Sequence, residues 1–507
     1  MAYLLANFTE NQYLCKIIPK LTISNMPRYK VTKNISELQG DFNPNELKST
    51  VIFQTLKSLK LSANFFEFNF LKTQGYAFHL VLSLLIWITI QSKKTVNSSL
   101  SALSDNGIQI EKDVFYRLKN SEKICWRRIL WYIVSKFLQQ TQKNNEPTAE
   151  KSEKSHHRCL IIDDTLIEKT GNKIEKIGKV FDHVTNRMVL GFRLLVGLYF
   201  DGKSAIPVDF SIVREKGKNE EKPFGMSKKH LRRQFSKKRA KESEGISRVK
   251  ELDISKIELS IQLFLRTVLF GIPVDYVLCD SWFTCLGLIK AVRQKGSHLI
   301  GMYKIVKTKF DYRGKKMSYK EILHLAGKEK RCKKMNLYYK TARVMYDELP
   351  VTLFFSRIGT NGDWKVILTT DTKLSFLQAI EIYQIRWSIE VFFKETKQML
   401  NLGGCQSSTF DAQIADTTIT VIAYILLTFR FRYDHYESMG ALFRAMNAEV
   451  LQKTMDVRLW ELFMDLVKII CLLIEKDFDD VMNLIIRKPE MAQWVDRMIE
   501  SHYKQTS

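Results

Sequence analysis

The chain has 507 residues and carries 79 Lys or Arg against 54 Asp or Glu, which gives a formal net charge of +25 and a pI near 9.5. A hydrophobic fraction of 45% excludes an intrinsically disordered chain, and the length predicts about two to four domains. The excess of basic residues favours a polyanionic partner, nucleic acid above all.

Membrane and disulfide-rich secreted proteins are disfavoured. The most apolar run, Ala77 to Ile90, includes His79 and Ser83 and is too short to cross a bilayer. The N-terminus lacks a charged segment followed by an apolar block, so no secretory signal is predicted. The eight cysteines contain no C-x-x-C pair, which argues against a zinc ribbon and a disulfide framework and favours the cytoplasm.

The N-terminal region, residues 1–145, is predicted to be helical from about residue 47. The turn pair Asn106-Gly107 and the basic, aromatic character of residues 115–128 indicate a helix-turn-helix that binds DNA. An ordinary helical bundle explains the same spacing equally well. The predicted helices are residues 77–91, 98–104, 113–119 and 126–138.

A catalytic core is predicted to begin after the polar linker at residues 141–157. The apolar run from Cys159 ends in Asp163 and Asp164, which is typical of a buried strand with acids at its carboxyl end. Residues 214–250 hold 14 Lys or Arg and 5 Asp or Glu, and they are predicted to form a basic loop that contacts phosphates. Between these segments, strands are predicted at residues 180–184, 190–200 and 205–213.

The second half of the chain alternates helices and strands before a β-rich insertion. The insertion, residues 304–372, shows a hairpin signal at Asn361-Gly362. One helix is then predicted from about residue 375 to 402, and residues 413–507 are predicted to be helical and to mediate self-association. Before the insertion, helices are predicted at residues 254–270 and 283–295, and strands at residues 274–280 and 298–303.

The helix predicted at residues 375–402 carries a row of polar and charged residues within a stripe about 80° wide. Isoleucine and phenylalanine residues occupy a different arc, which is predicted to be buried. Ion pairs on a solvated face would explain such a row in an arbitrary helix. One acid among cations also suits a metal ion held beside a polyanion. The row consists of Tyr383, Arg386, Glu390, Lys394 and Lys397.

Three acids have positions suited to a metal site. Asp163 and Asp280 each follow a predicted strand, at the edge where open α/β sheets place ligands, and a helix packed there can add Glu390. Clustered carboxylates need a compensating cation, and hard oxygen ligands select Mg²⁺ or Mn²⁺. Two such ions would suit phosphodiester cleavage. Alternation along the strand lets only one of Asp163 and Asp164 face Asp280.

The pattern Y-x2-R-x3-E-x6-K at residues 383–397 resembles the YREK motif of bacterial DDE transposases of the insertion sequence four family. Asp163, two residues before a threonine, is similar to the first acidic motif of this group, which favours it over Asp164. Asp280, in the sequence Asp-Ser-Trp-Phe, is similar to the second acidic motif. The resemblance covers about residues 155–410.

The resemblance implies an α/β fold with an RNase H-like mixed sheet flanked by helices, a β-rich insertion, and helical N- and C-terminal regions. The expected catalytic core comprises residues 155–303 and 373–412, on either side of the insertion at residues 304–372.

The resemblance also implies cut-and-paste transposition. The enzyme would cleave insertion-sequence ends by metal-dependent hydrolysis and hairpin formation, and would join the 3′-OH ends to target DNA. Its partners would be double-stranded DNA and, in the synaptic complex, a second copy of the chain, in the bacterial cytoplasm at the nucleoid.

Residue roles follow from the resemblance and from chemistry together. Two Mg²⁺ ions, or Mn²⁺, would be held by Asp163, Asp280 and Glu390. DNA phosphates would be bound by Tyr383, Arg386, Lys394 and Lys397. Trp387 and Trp364 are candidates for stacking on unpaired bases, although burial in the core explains either tryptophan as well.

Two alternatives remain open for the function. One is a nuclease of the same fold that hydrolyses DNA without strand transfer. The other is a catalytically inactive DNA-binding protein derived from a transposase, which the presence of all three acids and the basic row disfavours.

Overall fold

Twelve strands form one mixed sheet in a computed structural model of the chain. The structure describes residues 55–56, 59, 61, 75–91, 95–105, 108–143, 157–182, 184–304, 308–360, 362–434 and 436–447. The predictions for residues 1–50, for the turn pair at 106–107, for most of the linker, for the first residue of the hairpin signal at 361–362 and for the chain beyond residue 447 lie outside the described residues.

The sheet has a parallel centre and antiparallel flanks. Strand β1 pairs in parallel with β5, and β5 in parallel with β6, whereas the other pairings are antiparallel. The order is β2-β3-β1-β5-β6-β12-β11-β10-β7-β8, with β4 beside β3 and β9 beside β10. The strands are β1 (Cys159–Glu168), β2 (Gly178–Asp182), β3 (Arg187–Phe200), β4 (Ala205–Val213), β5 (Tyr276–Cys279), β6 (His298–Met302), β7 (Lys309–Tyr312), β8 (Lys315–Ser318), β9 (Lys330–Cys332), β10 (Leu337–Tyr346), β11 (Leu349–Ile358) and β12 (Lys365–Thr369).

Helices flank this sheet, so the predicted α/β class with a mixed sheet is confirmed and is consistent with an RNase H-like transposase fold. Several helices begin at a Ser or Thr whose side chain accepts a backbone N–H bond from the first turn. The helices are α1 (Phe78–Ile90), α2 (Val96–Asp105), α3 (Lys112–Lys119), α4 (Trp126–Lys143), α5 (Lys228–Arg232), α6 (Glu244–Glu251), α7 (Lys256–Leu269), α8 (Leu286–Gln294), α9 (Tyr319–Leu325), α10 (Phe376–Gln384), α11 (Trp387–Met399) and α12 (Phe410–Tyr433).

The register of the central strands places two of the predicted acids side by side. Residues 159–162 of β1 pair with residues 276–279 of β5, so Asp163 and Asp280 each follow the last residue of the parallel pairing. The prediction that the acids close the first strand is wrong, because β1 continues to Glu168 along β3. The parallel pairing of β1 ends at Ile162, which leaves that edge open to other groups.

The β-rich insertion is part of the central sheet. Strand β12 pairs with β6, and β11, β10, β7 and β8 continue the same sheet outward. The insertion also contains α9, a helix absent from the sequence-based prediction, which begins with a capping box formed by Ser318 and Glu321.

Two predictions of secondary structure are wrong. The single helix predicted at residues 375–402 is two helices, α10 and α11. Between them the Arg386 N–H bonds the Tyr383 carbonyl and the Ile389 N–H bonds the Arg386 carbonyl, which is the tighter i to i+3 pattern. The basic segment at residues 214–250 is not a simple loop, because it contains α5 and most of α6.

The N-terminal helices pack against the catalytic part of the chain. Helices α1, α3 and α4 contact α12, and α4 also contacts β4. Phe115 and Trp126 are buried, and Arg127 forms ion pairs with Asp209 and Glu251. Within the described residues, these contacts favour the helical bundle over a free helix-turn-helix.

Helix α12 is long and apolar enough to cross a membrane by length and composition, a property that the sequence pattern did not predict. In the most apolar part of α12, 94% of the residues are buried inside the protein. Its neighbours are α1, α4 and β4, so α12 lies where a core helix is expected.

Candidate active site

Asp163 and Asp280 follow neighbouring positions at the end of the parallel pairing between β1 and β5. The Asp280 Oδ1 atom accepts hydrogen bonds from the backbone N–H groups of Trp282 and Phe283 at 2.9 and 3.2 Å. Burial, together with the negative charge of Asp280, raises the pKa of the Asp163 carboxyl to about 7. The Asp163 carboxyl therefore lies in a buried environment beside another acid.

Glu390 joins these acids through a shared arginine. The Arg386 guanidinium donates from Nη1 to Asp163 Oδ2 at 3.1 Å and from Nη2 to Glu390 Oε1 at 2.5 Å. Helix α11 thus brings Glu390 to the edge of the sheet near Asp163. The guanidinium lies between the two carboxylates.

The donor set fits a hard divalent cation, because all three side chains offer carboxylate oxygens. Among the described residues, however, no group of three His, Cys, Asp or Glu is close enough to hold a metal ion. Arg386 occupies the space between Asp163 and Glu390, so a metal ion shared by them requires the guanidinium to move away.

Asp164 lies in a different environment from Asp163. Its carboxylate is 3.0 Å from Lys256 Nζ and 3.5 Å from Arg193 Nη1, and only 9% of its side chain is exposed. Two cations already neutralise Asp164, and they hold it away from Arg386. This geometry favours Asp163 as the metal ligand, in agreement with the alternation of side chains along β1.

The predicted row of residues lies against the sheet edge and not on a fully exposed face. Tyr383, Arg386 and Glu390 are half-buried, while Lys394 and Lys397 are exposed. The Tyr383 hydroxyl donates to the Cys279 carbonyl at 3.3 Å, and burial raises its pKa to about 12. Tyr383, Arg386 and Lys397 of the row therefore contact β1 or β5, which the helical pattern alone could not predict.

Lys397 contacts the strand that carries Asp163. Its Nζ atom donates to Thr165 Oγ1 at 2.7 Å, on the same side of β1 as Asp163. Lys397 also lines a cleft of about 630 Å³ together with Asp164, Asp182 and Arg193. Asp164, the first residue of β1 that lines this cleft, directly follows Asp163, and Lys397 lies on the same helix as Glu390.

The two predicted stacking tryptophans differ in exposure. Trp387 is 63% exposed at the start of α11, so its ring is accessible. Trp364 is half-buried and packs beneath Arg357, whose guanidinium carbon is 4.7 Å from the ring centre.

A third tryptophan, for which the sequence pattern predicted no role, lies beside the site. Trp282 is 49% exposed, and the ammonium groups of Lys256 and Lys304 each lie 4.9 Å from its ring centre. Its backbone N–H holds Asp280, so Trp282 is fixed next to a candidate ligand. The Asp280-Ser-Trp-Phe motif contained this residue, but no spacing rule assigned it a role.

Residues 256–426 match a family model described as the transposase DDE domain. This range contains Asp280 and Glu390, whereas Asp163 precedes it. No curated protein matches the chain. The match covers about a third of the chain (171 of 507 residues) and supports a DDE transposase with DNA as its substrate.

Proposed function

We propose that the chain is a cut-and-paste transposase of the insertion sequence four family, which cleaves element ends and joins them to target DNA. The observation that carries this proposal is the shared arginine between Asp163 and Glu390, beside Asp280. It gathers residues separated by more than two hundred positions in the sequence into one acidic site, and Asp280 and Glu390 lie in the range that matches a transposase DDE domain.

Asp163, Asp280 and Glu390 would hold two divalent ions, Mg²⁺ or Mn²⁺. Bound there, such ions supply Lewis-acid activation of the attacking oxygen and stabilisation of the leaving oxygen. The backbone N–H groups that bond Asp280 Oδ1 fix the direction of this carboxylate before any ligand arrives. Glu390 is set on a helix, where its position depends on packing and not on loop motion.

Basic residues of the row would hold the DNA. Arg386 would exchange Asp163 and Glu390 for a phosphate when the carboxylates are neutralised by metal, since a guanidinium pairs equally well with either anion. Lys397 and the exposed Lys394 would bind the phosphates along the same strand. Trp387, Trp364 and Trp282 offer aromatic surfaces for unpaired bases near the cleaved phosphate.

The remaining regions would serve recognition and assembly. The N-terminal region would bind the element end, and the helical region beyond α12 would contribute to a homodimer that pairs two ends.

The decisive experiment incubates purified protein and Mg²⁺ with a labelled duplex taken from the DNA that flanks the gene, together with a target plasmid. We expect hairpin intermediates and labelled plasmid products from the wild type, and neither from Glu390→Gln. Nicked duplex without joined plasmid would instead identify a nuclease. DNA binding without cleavage by the wild type would identify an inactive derivative.

A further inference from the structure

A basic segment close to β2 contains two kinds of cation, buried and exposed. Residues 228–241, which we call the basic strap, have the sequence KKHLRRQFSKKRAK, with eight Lys or Arg and no Asp or Glu. Two of these cations point inward and six point to solvent. The strap has no acid of its own to balance its positive charge, yet ion pairs and hydrogen bonds with other parts of the chain hold it in place.

The two inward cations anchor the strap in the core. The Arg239 side chain is 2% exposed and pairs with Glu175 at 2.6 Å and with Asp411 at 3.1 Å. Lys237 pairs with Asp411 at 2.6 Å, and the side chains of both acids are only 3% exposed. The anchor joins the strap to the loop after β1 and to helix α12.

Hydrogen bonds to backbone carbonyls also hold the strap in place. The Phe235 N–H donates to the Lys173 carbonyl at 2.8 Å, and the Gln234 side chain donates to the Ile177 carbonyl at 2.7 Å. The strap therefore lies across residues 173–179, which carry three further exposed lysines, Lys173, Lys176 and Lys179.

The outward cations form one surface of nine positive charges. Among the described residues none of the nine is within ion-pair distance of a carboxylate, in contrast to the two anchors. Phe235, at the middle of the strap, is 42% exposed. The nine are Lys173, Lys176, Lys179, Lys228, Lys229, Arg232, Arg233, Lys238 and Lys241.

Strand β2 connects this surface to the candidate active site. At its first end, Gly178 lies against Phe224, just before the strap, and at its other end Asp182 lines the cleft that contains Lys397. Five residues of strand cover about 13 Å at 3.3 Å per residue. A duplex that enters the cleft can therefore extend onto the strap.

We infer that the basic strap and the three lysines beside it form a binding surface for the backbone of duplex DNA, separate from the residues that hold the cleaved phosphate. The occupant follows from charge: nine exposed cations, none paired with an acid in the part of the chain that the structure describes, match a regular array of phosphates. Contacts to phosphates carry no sequence information directly, so we expect binding there to be independent of sequence. This inference rests on the proposed function and extends it to the DNA that flanks the cleavage point.

The test measures binding of a random-sequence duplex without metal, over a range of NaCl concentrations. In the variant Lys228→Gln, Lys229→Gln, Arg232→Gln, Arg233→Gln, the slope of log K against log salt should become shallower by about 0.9 for each phosphate that the variant no longer neutralises, or up to about 3.6 in all. A slope equal to that of the wild type would overturn the inference.

A matched control removes the same charge elsewhere. Lys315, Lys316, Lys328 and Lys330 are exposed lysines of the insertion, and changing all four to Gln should alter the slope less than the strap variant does. An equal change in both variants would show that only net charge matters, and would overturn the inference.

A second measurement avoids substitutions in the strap. Acetylation of the wild-type protein with and without duplex should show protection of Lys228, Lys229 and Lys238 in the presence of DNA, and unchanged labelling there would contradict the inference. Neither measurement requires cleavage, so a failure of the strap and a failure of the transposase proposal give different results.

Discussion

Two clusters of acids and arginines lie on this sheet, and they have opposite electrostatic characters. In the candidate active site, which holds three carboxylates, those of Asp163 and Glu390 share the guanidinium of Arg386. In the second cluster, between α4, β4, α6 and α7, the two carboxylates of Asp209 and Glu251 are paired with three arginines. These arginines are Arg127, Arg248 and Arg266, and the nitrogen–oxygen distances in the ion pairs are 2.7 to 3.0 Å.

The pKa values of the acids in the two clusters are shifted in opposite directions. Burial and Asp280 raise the pKa of Asp163 to about 7. Burial also acts to raise the pKa of Glu251, but Arg127 and Arg248 outweigh it and hold that pKa below its usual range. The ratio of cations to acids, and not burial alone, therefore distinguishes a site suited to a cationic ligand from a structural ion cluster.

Removing an acid of the active site should have the largest effect. We expect Asp280→Asn to reduce the rate of DNA cleavage by about 10³-fold or more, because the loss of a metal ligand removes several kcal/mol of transition-state stabilisation. The measurement is single-turnover cleavage of a labelled end in Mg²⁺. Asp253→Asn, at an exposed acid paired with Arg214, is the control and should retain activity. Full activity of Asp280→Asn would refute its role as a ligand.

Breaking the second cluster, the structural one around Asp209 and Glu251, should change the free energy of unfolding and not the chemistry of DNA cleavage. Arg127→Met leaves Asp209 and Glu251 short of a partner in a buried site, which should lower the free energy of unfolding by about 3–5 kcal/mol. Urea denaturation measures this change. Arg158→Met removes an exposed pair with Asp275, and by comparison it should cost no more than about 1 kcal/mol. Similar losses of stability in both variants would show that the buried cluster is not special.

The structural cluster should also make the protein sensitive to acid. Because the folded-state pKa of Glu251 lies below its usual value of 4.5, its contribution to stability is present above pH 4.5 and decreases as the pH falls below it. Thermal unfolding of the wild type should therefore shift steeply to lower temperature below that pH. Glu251→Gln should be less stable near neutral pH and should show a flatter dependence in acid. Parallel curves would argue against the lowered pKa.

The two adjacent aspartates give the smallest expected effect on cleavage. Asp164→Asn should slow DNA cleavage by less than about tenfold, which corresponds to about 1.4 kcal/mol, because Asp164 faces Lys256 and Arg193. Asp163→Asn should behave like Asp280→Asn. If Asp164→Asn were the more damaging of the two, the assignment of the first ligand would have to be reversed.

Most secondary structure was predictable from local pattern. Buried strands such as β1 and β5 and the apolar helix α1 follow from runs and periodicities that residues within one element determine. The missed helix α9 depends on a capping box at Ser318 and on a short segment whose pattern is too brief to detect. The break between α10 and α11 carries no proline or glycine to indicate it.

Residue types and spacing specify the groups of the candidate site: three acids in or next to strands or on a helix, and a basic row. Which of these groups meet depends on the three-dimensional fold. The parallel register of β1 and β5 aligns Asp163 with Asp280, and the packing of α11 on their edge lets Arg386 bridge Asp163 and Glu390. The tertiary structure also distinguishes the two anchors of the basic strap from its exposed cations. The sequence could not show this, because the anchors bind buried acids that lie far away in the chain.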